Sequence, residues 1–340
     1  MDGKSFTPAI FPPNIRLDKN GFTLLQSASG NLIIDVSKSN VQGREVGRLF
    51  KANSDGIYFS LLLENTNRNN LQLVDWEAIG GIEGVALANQ VINTRELARD
   101  GAKKLRTLIS FNDGGSWSPL TTPKNTHCSG GLDSGKEEIA QDCRLHLHSV
   151  TEFKGSGLVF SASSAVGIVM GVGNVGFHLL PRPLCQTYLS RDAGRTWIKV
   201  SDTPDLFEFG DEGGVLVLVN PSVPTTEAWF SYDFGSTWQR TQFSDSPVLV
   251  STLTTDPTSH TSQIVITGIT TSQHGKQPRF VIATLDVSDR PQCILDKYNK
   301  EKSDFEKWSP LMAYSDRCIL GREVSFFYPC FHSWLHNASC

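Results

Sequence analysis

The sequence lacks an apolar run that could cross a membrane as a helix, since no stretch approaches the roughly 18 uncharged apolar residues that such a helix needs. It also lacks an apolar segment near the amino terminus, which reads Met-Asp-Gly-Lys-Ser, so we expect no signal peptide here. Membrane attachment is therefore expected only through segments that this chain does not contain.

Positive charge is not in excess either, because 31 Lys and Arg stand against 35 Asp and Glu, for a formal net charge of −4. Nucleic-acid binding needs a basic face, which this charge balance does not suggest, so we expect no nucleic-acid partner. Charged residues make up 19% of the chain, below the usual quarter. Gly (29) and Pro (16) are well represented, as is typical of β proteins rich in turns.

No Cys-x-x-Cys pair occurs among the seven cysteines, which argues against a zinc site or a thioredoxin-like redox site. Cys128 and Cys143 bracket a polar loop of Gly and Ser, and we predict a disulfide between them, formed in an oxidising compartment. Reduced, buried cysteines are the alternative. The cysteines that follow residue 290 are Cys293, Cys318, Cys330 and Cys340.

One octapeptide pattern, S-x-D/N-x-G-x-S/T-W, occurs three times, at residues 110–117, 190–197 and 231–238. Its defining positions are Ser110, Asn112, Gly114, Trp117, Ser190, Asp192, Gly194, Trp197, Ser231, Asp233, Gly235 and Trp238. We expect the Asp or Asn to accept backbone N–H groups in a tight turn, and the Gly to supply a positive φ. We expect the Trp to pack beneath the hairpin. This pattern is the Asp-box, and its residues are predicted to be structural.

The spacing of the Asp-boxes favours a β-propeller. The second and third copies lie about 40 residues apart, which is the length of one propeller blade. Short apolar and β-branched runs with turn signals recur from residue 20 to 290, and we count about five blades there. A helical pattern occurs only around residues 97–104. We therefore predict an all-β fold with a partial propeller at 1–290 and a Cys-rich segment at 291–340.

Other segments resemble a known family. Residues 143–152 look like its pattern C-S-L-H-L-H-x-x-T-E, and residues 165–176 and then the second Asp-box follow as in that family. Further similar segments are residues 65–69, 74–77, 81–87 and 316–321. Together they resemble the sortilin family, most closely its fungal branch, over residues 10 to 323.

This resemblance implies a ten-bladed propeller followed by Cys-rich modules, of which this chain would hold about half of the blades and the start of one module. Members are type I membrane receptors that carry vacuolar or lysosomal hydrolases from the Golgi to the late endosome. The chain is then expected to bind protein or peptide cargo, without enzymatic activity or a cofactor, and a homodimer that closes the ring is conceivable. From about residue 325 the tail leaves the family pattern.

Cargo is expected to contact the inner strands of the blades, which we place at residues 145–150 and 166–173. The candidate ligand-facing residues are His146, His148, Val169 and Gly171. The two histidines alternate in a predicted strand, so both face one side. They form either a structural, hydrogen-bonded pair, which we favour, or a pH-sensing or metal-binding pair.

Three motifs have ordinary structural interpretations. The run Gly171-x-Gly173-x-x-Gly176 matches the dinucleotide fingerprint by letters, but no βαβ unit surrounds it, so we interpret it as a crowded strand. Glycosidases need two carboxylates that face one sugar. Asp113, Asp192 and Asp233 instead lie on equivalent turns of separate blades, so we interpret them as structural. Asn337 carries the only glycosylation sequon.

Two other functions remain open from the sequence. A sialidase-like glycosidase could use an Asp-box propeller, but it would need an arginine cluster and a Tyr/Glu pair that we do not find. A non-functional fragment is the other alternative, because half a propeller leaves open strand edges that favour aggregation.

Overall fold

The protein is represented by a computed structural model, and among the residues that it describes 49% are in strands and 5% are helical. The structure describes residues 6–13, 15, 21–25, 30–99, 101–124, 126, 128, 143–152, 161–255, 263–271, 277–286, 296, 298–299, 303, 305–309, 318–319, 322–323 and 325–329. None of the helices within these ranges has the length and apolar character needed to cross a membrane.

The first sheet is formed by β1 (Phe22–Leu25), β2 (Ile33–Val41), β3 (Arg44–Ala52), β4 (Phe59–Asn67), β5 (Trp76–Ala78), β6 (Ala86–Val91), β7 (Leu105–Ser110) and β8 (Ser118–Pro119). Its spatial order is β1-β2-β3-β4-β6-β7-β8, and β5 pairs with β6. Only the pair Thr66↔Gln90 joins β4 to β6. The sheet is therefore two four-stranded antiparallel groups, β1 to β4 and β5 to β8, linked at one point.

Two further four-stranded sheets repeat this pattern, and a third sheet has three described strands. Their strands are β9 (Arg144–Leu147), β10 (Val169–Gly176), β11 (Gln186–Ser190), β12 (Ile198–Ser201), β13 (Leu206–Gly210), β14 (Val215–Val219), β15 (Glu227–Ser231), β16 (Gln239–Gln242), β17 (Val248–Thr254), β18 (Gln263–Thr270) and β19 (Phe280–Asp286). The orders are β12-β11-β10-β9, β13-β14-β15-β16 and β17-β18-β19. With the two groups of the first sheet, they make five blade-like units, so the predicted β-propeller fold is confirmed.

Two small two-stranded sheets complete the described strands. They consist of β20 (Phe305–Trp308), β21 (Cys318–Ile319), β22 (Arg322–Glu323) and β23 (Phe326–Pro329). Strand β20 pairs with β23, and β21 pairs with β22.

The chain divides into two compact units. Unit 1 comprises Met1–Leu158 and Gly173–Pro181, and unit 2 comprises Val159–Val172 and Arg182–Cys340. The division between a propeller part and a Cys-rich part at residue 290 stays a prediction.

Each unit has an apolar core made by alternate strand residues. In unit 1, Ile33, Leu49 and Trp76 belong to one buried cluster. In unit 2, β14 has the sequence Val-Leu-Val-Leu-Val and is buried at every residue. Such a continuous apolar run is expected where both faces of a strand are covered. Each fully buried Val or Leu side chain contributes about 1.5–3 kcal/mol.

Some predicted element bounds are wrong. The strand expected at 145–150 ends at Leu147, because Val150–Glu152 forms a 3-10 turn. The strand expected from residue 166 begins at Val169, since Ala165 and Ile168 donate turn hydrogen bonds to Ala162 and Ala165. The helical pattern at 97–104 yields only the 3-10 turn Leu97–Arg99.

Candidate functional site

The Asp-boxes each connect the third and fourth strand of a blade, at β7–β8, β11–β12 and β15–β16. In the second copy, Oδ1 of Asp192 accepts hydrogen bonds from Ser190 Oγ at 2.8 Å and from Thr196 N at 2.7 Å, and Oδ2 accepts the Thr196 hydroxyl at 2.6 Å. Asp233 repeats these contacts with Ser231 and Thr237. Both carboxylates therefore accept hydrogen bonds from groups of their own turns.

In the first copy an amide replaces the carboxylate. Asn112 Oδ1 accepts hydrogen bonds from Ser110 Oγ at 3.0 Å and Ser116 N at 2.8 Å, and its Nδ2 donates to Ser116 Oγ at 2.9 Å. The neighbouring Asp113 is buried and pairs with Lys51 Nζ at 2.5 Å and Asn31 Nδ2 at 2.7 Å. Through Asp113, the first Asp-box thus makes an ion pair and a hydrogen bond to the preceding blade, which the sequence pattern did not predict.

The Asp-box turn needs a left-handed backbone at two consecutive residues, whereas the sequence analysis assigned it only to the glycine. The residue before each glycine also has a positive φ, which is 58° at Asp113, 58° at Ala193 and 54° at Phe234. Trp197 is buried and donates from Nε1 to Gly194 O at 2.8 Å, so this indole closes the turn from below.

Replacing Asp192 with alanine should lower the free energy of unfolding by about 2–3 kcal/mol, because three hydrogen bonds of one turn are lost together. Asp192→Asn is the matched control and should cost less than about 1 kcal/mol, since Asn112 performs the same task in the first copy. Urea titration of the two variants measures the difference. Equal losses for alanine and asparagine would contradict the turn-closing role.

Three of the family-like segments meet in one polar cluster within unit 1. Its members are Asn67, Asp75, Asn89, Thr107, Ser149 and Thr151. The buried carboxylate of Asp75 accepts hydrogen bonds from Asn67 Nδ2 at 2.7 Å, Asn89 Nδ2 at 3.1 Å and Thr151 N at 3.0 Å. Residues 65–69, 74–77 and 143–152 are therefore joined through this carboxylate.

The polar cluster also holds strand β9 against the preceding blade. Leu147 N donates to Thr107 Oγ1 at 2.8 Å, and Asn89 Nδ2 donates to Leu147 O at 3.0 Å. Asn69 Nδ2 donates to Thr151 O at 2.9 Å, and Ser149 Oγ donates to Glu77 Oε1 at 3.1 Å. Side chains thus bind the backbone at the end of β9.

A buried ion-pair triad lies next to the polar cluster. Arg68 is 1% exposed and donates from Nη1 to Asp35 Oδ1 at 2.7 Å and from Nε to Glu45 Oε2 at 3.0 Å. Asp35 is fully buried and also accepts the Thr66 hydroxyl. Burial raises the pKa of Asp35 to about 6, although Thr66 and Arg68 oppose that rise.

Lys103 joins the triad to the polar cluster. Its Nζ donates to Arg68 O at 2.7 Å and to Asn67 Oδ1 at 2.9 Å. Burial lowers the pKa of Lys103 to about 8, while Asp75 and Glu45 oppose this. The triad and Lys103 were not predicted from the sequence. The one sequence signal that indicates them is Asp35, a charged residue inside the apolar run Ile33–Val36.

The buried carboxylates make stability depend on pH. Burial raises the pKa of Glu77 to about 7 and that of Glu208 to about 6. For Asp35, Glu77 and Glu208 the pKa in the folded chain is higher than the pKa in the unfolded chain. The stability that these groups contribute is therefore fully present below their unfolded pKa values. It is lost as the pH rises through their folded pKa values, from about 6 to about 7. The lowered pKa values of His146 and Lys103 act in the opposite direction, that of His146 only below about pH 6.5 and that of Lys103 only as the pH approaches 8 and rises above it.

The chain should therefore be more stable at pH 6 than at pH 8. Glu77→Gln should stabilise it at pH 8 by about 1–3 kcal/mol and have little effect at pH 5, because it removes the cost of a buried charge. Urea titrations at the three pH values measure this. A Gln variant that follows the pH dependence of the parent chain would show that Glu77 is not responsible.

The four residues predicted to face ligand are buried: His146 is 1% exposed, His148 and Val169 are 0% exposed, and Gly171 is buried in β10. None of them presents a surface to a ligand as the structure stands, so their role in binding remains a prediction. The structural interpretation of the histidines agrees with the contacts, since His146 Nε2 lies 3.0 Å from Gly176 O and His148 Nε2 lies 3.0 Å from Leu180 O.

The glycine run at 171–176 lies within β10, and the next helical element is only the 3-10 turn Arg182–Leu184. A side chain at Gly173 would overlap the carbonyl of His146 on β9. The interpretation as a crowded strand is therefore confirmed, and the dinucleotide fingerprint is a match by letters alone.

The predicted disulfide is present, because Cys128 and Cys143 are bonded with a Cα–Cα distance of 6.1 Å. Asn337 lies outside the described residues. Within the ranges that the structure describes, no group of three or more His, Cys, Asp or Glu side chains could hold a metal ion.

The sequence profile of the family described as "Sortilin, neurotensin receptor 3" matches residues 1–253. The chain belongs to the sortilin family. "Vacuolar protein sorting/targeting protein 10" of Schizosaccharomyces pombe is 36% identical over 334 residues, which is 98% of this chain and 22% of that protein. "Vacuolar protein sorting/targeting protein PEP1" of Saccharomyces cerevisiae RM11-1a is 37% identical over 329 residues, which is 96% of this chain and 21% of that protein.

This sortilin-family chain thus spans about a fifth of the length of the curated relatives that it matches. Among solved structures, a functionally unknown protein from Desulfotomaculum acetoxidans DSM 771 has a TM-score of 0.32 at 10% identity, covering 77% of this chain and 68% of that one. A score this low supports no argument. The family assignment therefore depends on sequence, and the Asp-box blades agree with it.

Proposed function

We propose that this chain is a cargo-binding part of a sorting receptor for vacuolar hydrolases such as carboxypeptidase Y. The observation that carries the proposal is its similarity to two vacuolar protein sorting/targeting proteins over 96–98% of its length. In this proposal the receptor carries its cargo from the Golgi to the late endosome, and segments outside this chain provide membrane attachment.

Binding rather than catalysis is the proposed activity. The carboxylates that an Asp-box propeller could offer to a sugar are each hydrogen-bonded inside their own turns, at Asp192 and Asp233. The same position in the first copy is Asn112, which has no acidic group. A rigid set of blades whose loops are closed by local hydrogen bonds is a suitable frame for recognising a protein surface.

The direct test measures binding of the purified chain to the precursor of carboxypeptidase Y by surface plasmon resonance at pH 7. We expect saturable binding that a secreted, non-vacuolar glycoprotein does not show. Absence of binding, by a chain whose circular dichroism shows intact β structure, would overturn the proposal. Turnover of a fluorogenic sialoside would instead support the sialidase-like alternative.

The predicted homodimer is tested by the mass in solution. Light scattering at micromolar concentration separates a 37.4 kDa monomer from a species of twice that mass. A monomer that still binds the precursor would remove the dimer from the proposal without affecting cargo binding.

A further inference from the structure

Glu208 is a buried carboxylate on the end strand of its sheet. It lies in β13, the first strand in the order β13-β14-β15-β16, and is 7% exposed. Its partner in the register is Val217 of β14, which belongs to a buried apolar cluster of unit 2. Directly opposite residues of an antiparallel pair project from the same face of a sheet. The Glu208 side chain therefore lies on the face that this apolar cluster covers.

Glu208 differs from the other buried carboxylates in its partners. Its Oε1 accepts one hydrogen bond, from the backbone N–H of the next residue, Phe209, at 2.9 Å. Within the part of the chain that the structure describes, no side chain donates to Glu208 and no Lys, Arg or His pairs with it. The other buried carboxylates each have a side-chain donor, which is Arg68 for Asp35, Asn67 for Asp75, Lys51 for Asp113 and Thr203 for Asp205.

The hydrogen bond to Phe209 shows where the carboxylate lies. In an antiparallel pair, the N–H groups of successive residues point alternately toward the partner strand and away from it. The N–H group of Phe209 donates its single proton to Glu208, so it points away from β14 and toward the other edge of β13. No described strand pairs with that edge. The carboxylate therefore lies at an open strand edge.

The opposite face of β13 holds the strand in place. Phe207 and Phe209 are buried, and their rings meet edge to face with centroids 6.3 Å apart. Because both rings project away from the face that carries Glu208, the carboxylate and the open edge keep a fixed geometry relative to each other.

The open edge and the carboxylate together form an incomplete binding site. Burial raises the pKa of Glu208 to about 6, so at pH 7.5 the group is ionised without a counter-charge from the described residues. Buried charges in proteins are normally paired, because an unpaired charge loses its hydration without compensation. The remaining backbone groups of an open edge can pair with an added extended chain. A cationic group on such a chain would supply the missing charge.

We propose that Glu208 and the open edge of β13 bind an extended peptide through a primary ammonium group, which pairs with Oε2 while Oε1 keeps its bond to Phe209 N. A guanidinium group fits less well, because it pairs most strongly with both oxygens of a carboxylate and Oε1 is already engaged. The inference rests on the proposed function in one respect, since the peptide would be a segment of the cargo. It adds the charge that this segment carries.

Binding is tested on the full chain at pH 7.5 by isothermal titration calorimetry with short synthetic peptides. Thr-Val-Lys-Val-Thr with both ends blocked carries the ammonium on a side chain, and Val-Thr-Val-Thr with a free amino terminus carries it on the backbone. In the reference peptide, norleucine replaces the lysine and removes the charge. We expect at least one ammonium peptide to bind about tenfold more tightly than the reference. If neither does, the proposal is wrong.

An arginine peptide tests the preference for ammonium. It should bind more weakly than the better of the two ammonium peptides, because Oε2 alone offers no paired acceptor for the guanidinium fork. Tighter binding of the arginine peptide would contradict the proposed geometry at Oε1.

The residue is tested with Glu208→Gln, which removes the charge and keeps an oxygen that can accept from Phe209 N. We expect this variant to bind the better ammonium peptide as weakly as the parent chain binds the reference. The control is Glu227→Gln in the same sheet, since Glu227 is 49% exposed and pairs with Arg240 at 3.7 Å. It should bind like the parent chain. Equal losses in the two variants would overturn the assignment to Glu208.

A second measurement does not depend on the folding of a variant. In the parent chain labelled with ¹⁵N, the amide signal of Phe209 should shift on saturation with the better ammonium peptide, because its acceptor then shares its charge with the ligand. An unmoved Phe209 signal would place the peptide elsewhere and overturn the proposal.

The relation to cargo has a separate readout. By surface plasmon resonance, we expect Glu208→Gln to bind the carboxypeptidase Y precursor about tenfold more weakly than the parent chain. A chain that binds the ammonium peptide but no precursor would refute the proposed function and leave the ammonium site standing. Equal affinities of the parent chain and Glu208→Gln for the precursor would refute the role of the site in cargo binding and leave the proposed function standing.

Discussion

Replacing Arg68 with methionine should lower the free energy of unfolding by about 3–5 kcal/mol at pH 7.5, because it leaves two carboxylates without their buried partner. Asp35 is 0% exposed and Glu45 keeps only 17% of its side-chain exposure, so water cannot take the place of the guanidinium. At pH 5 the loss should be smaller, since Asp35 can then be neutralised by a proton.

The matched control for this variant is Arg48→Met. Arg48 pairs with Glu64 at 2.9 Å in the same sheet, but the two side chains are 21% and 36% exposed, and such pairs contribute at most about 1 kcal/mol. Urea titrations at pH 7.5 and pH 5 measure both variants. Similar losses for Arg68→Met and Arg48→Met, or a loss that does not depend on pH, would show that the triad is not the stabilising element we infer.

Substituting alanine for Gly173 should destabilise the chain by about 3 kcal/mol, since the added methyl group has no room in a backbone-lined space. The new Cβ would overlap the carbonyl of His146 and lie 3.0 Å from Leu147 Cα. These are backbone atoms of β9, which pairs with β10 at Gly173↔Leu147. The two strands would have to separate.

Gly115→Ala is the control for steric crowding. A Cβ at Gly115 would lie 3.3 Å from its nearest neighbours, atoms of Asn112, which is a tight contact but not the overlap that a Cβ at Gly173 would make. We expect less than about 1 kcal/mol of destabilisation there. Hydrogen exchange of the Leu147 amide, which donates to Thr107, would locate the effect. Unchanged protection of that amide in Gly173→Ala would contradict the inferred collision between β9 and β10.

The Asp-box turns could be predicted from the sequence because every group that closes them lies within one octapeptide. Ser190, Asp192 and Thr196 bond to one another across two to four positions, so a short pattern records the whole arrangement. Since the turn joins two antiparallel strands, three copies, of which the second and third are one blade length apart, also indicated the fold class. The disulfide between Cys128 and Cys143 was predictable for the same reason, as its loop is short.

The polar cluster and the triad were decided only by the tertiary structure. Arg68 meets Asp35 from 33 residues away, and Thr151 meets Asp75 from 76 residues away. Which side chains meet over such distances depends on strand register, where a shift of one residue turns every side chain to the other face. His146 and His148 look alike in sequence, yet their Nε2 atoms face the carbonyls of different residues, Gly176 and Leu180. The sequence alone thus determined the repeating blade, because the hydrogen bonds that close each Asp-box turn are local. Only the fold determined the chemistry of the buried charged residues, because it decides which residues distant in sequence lie together without water.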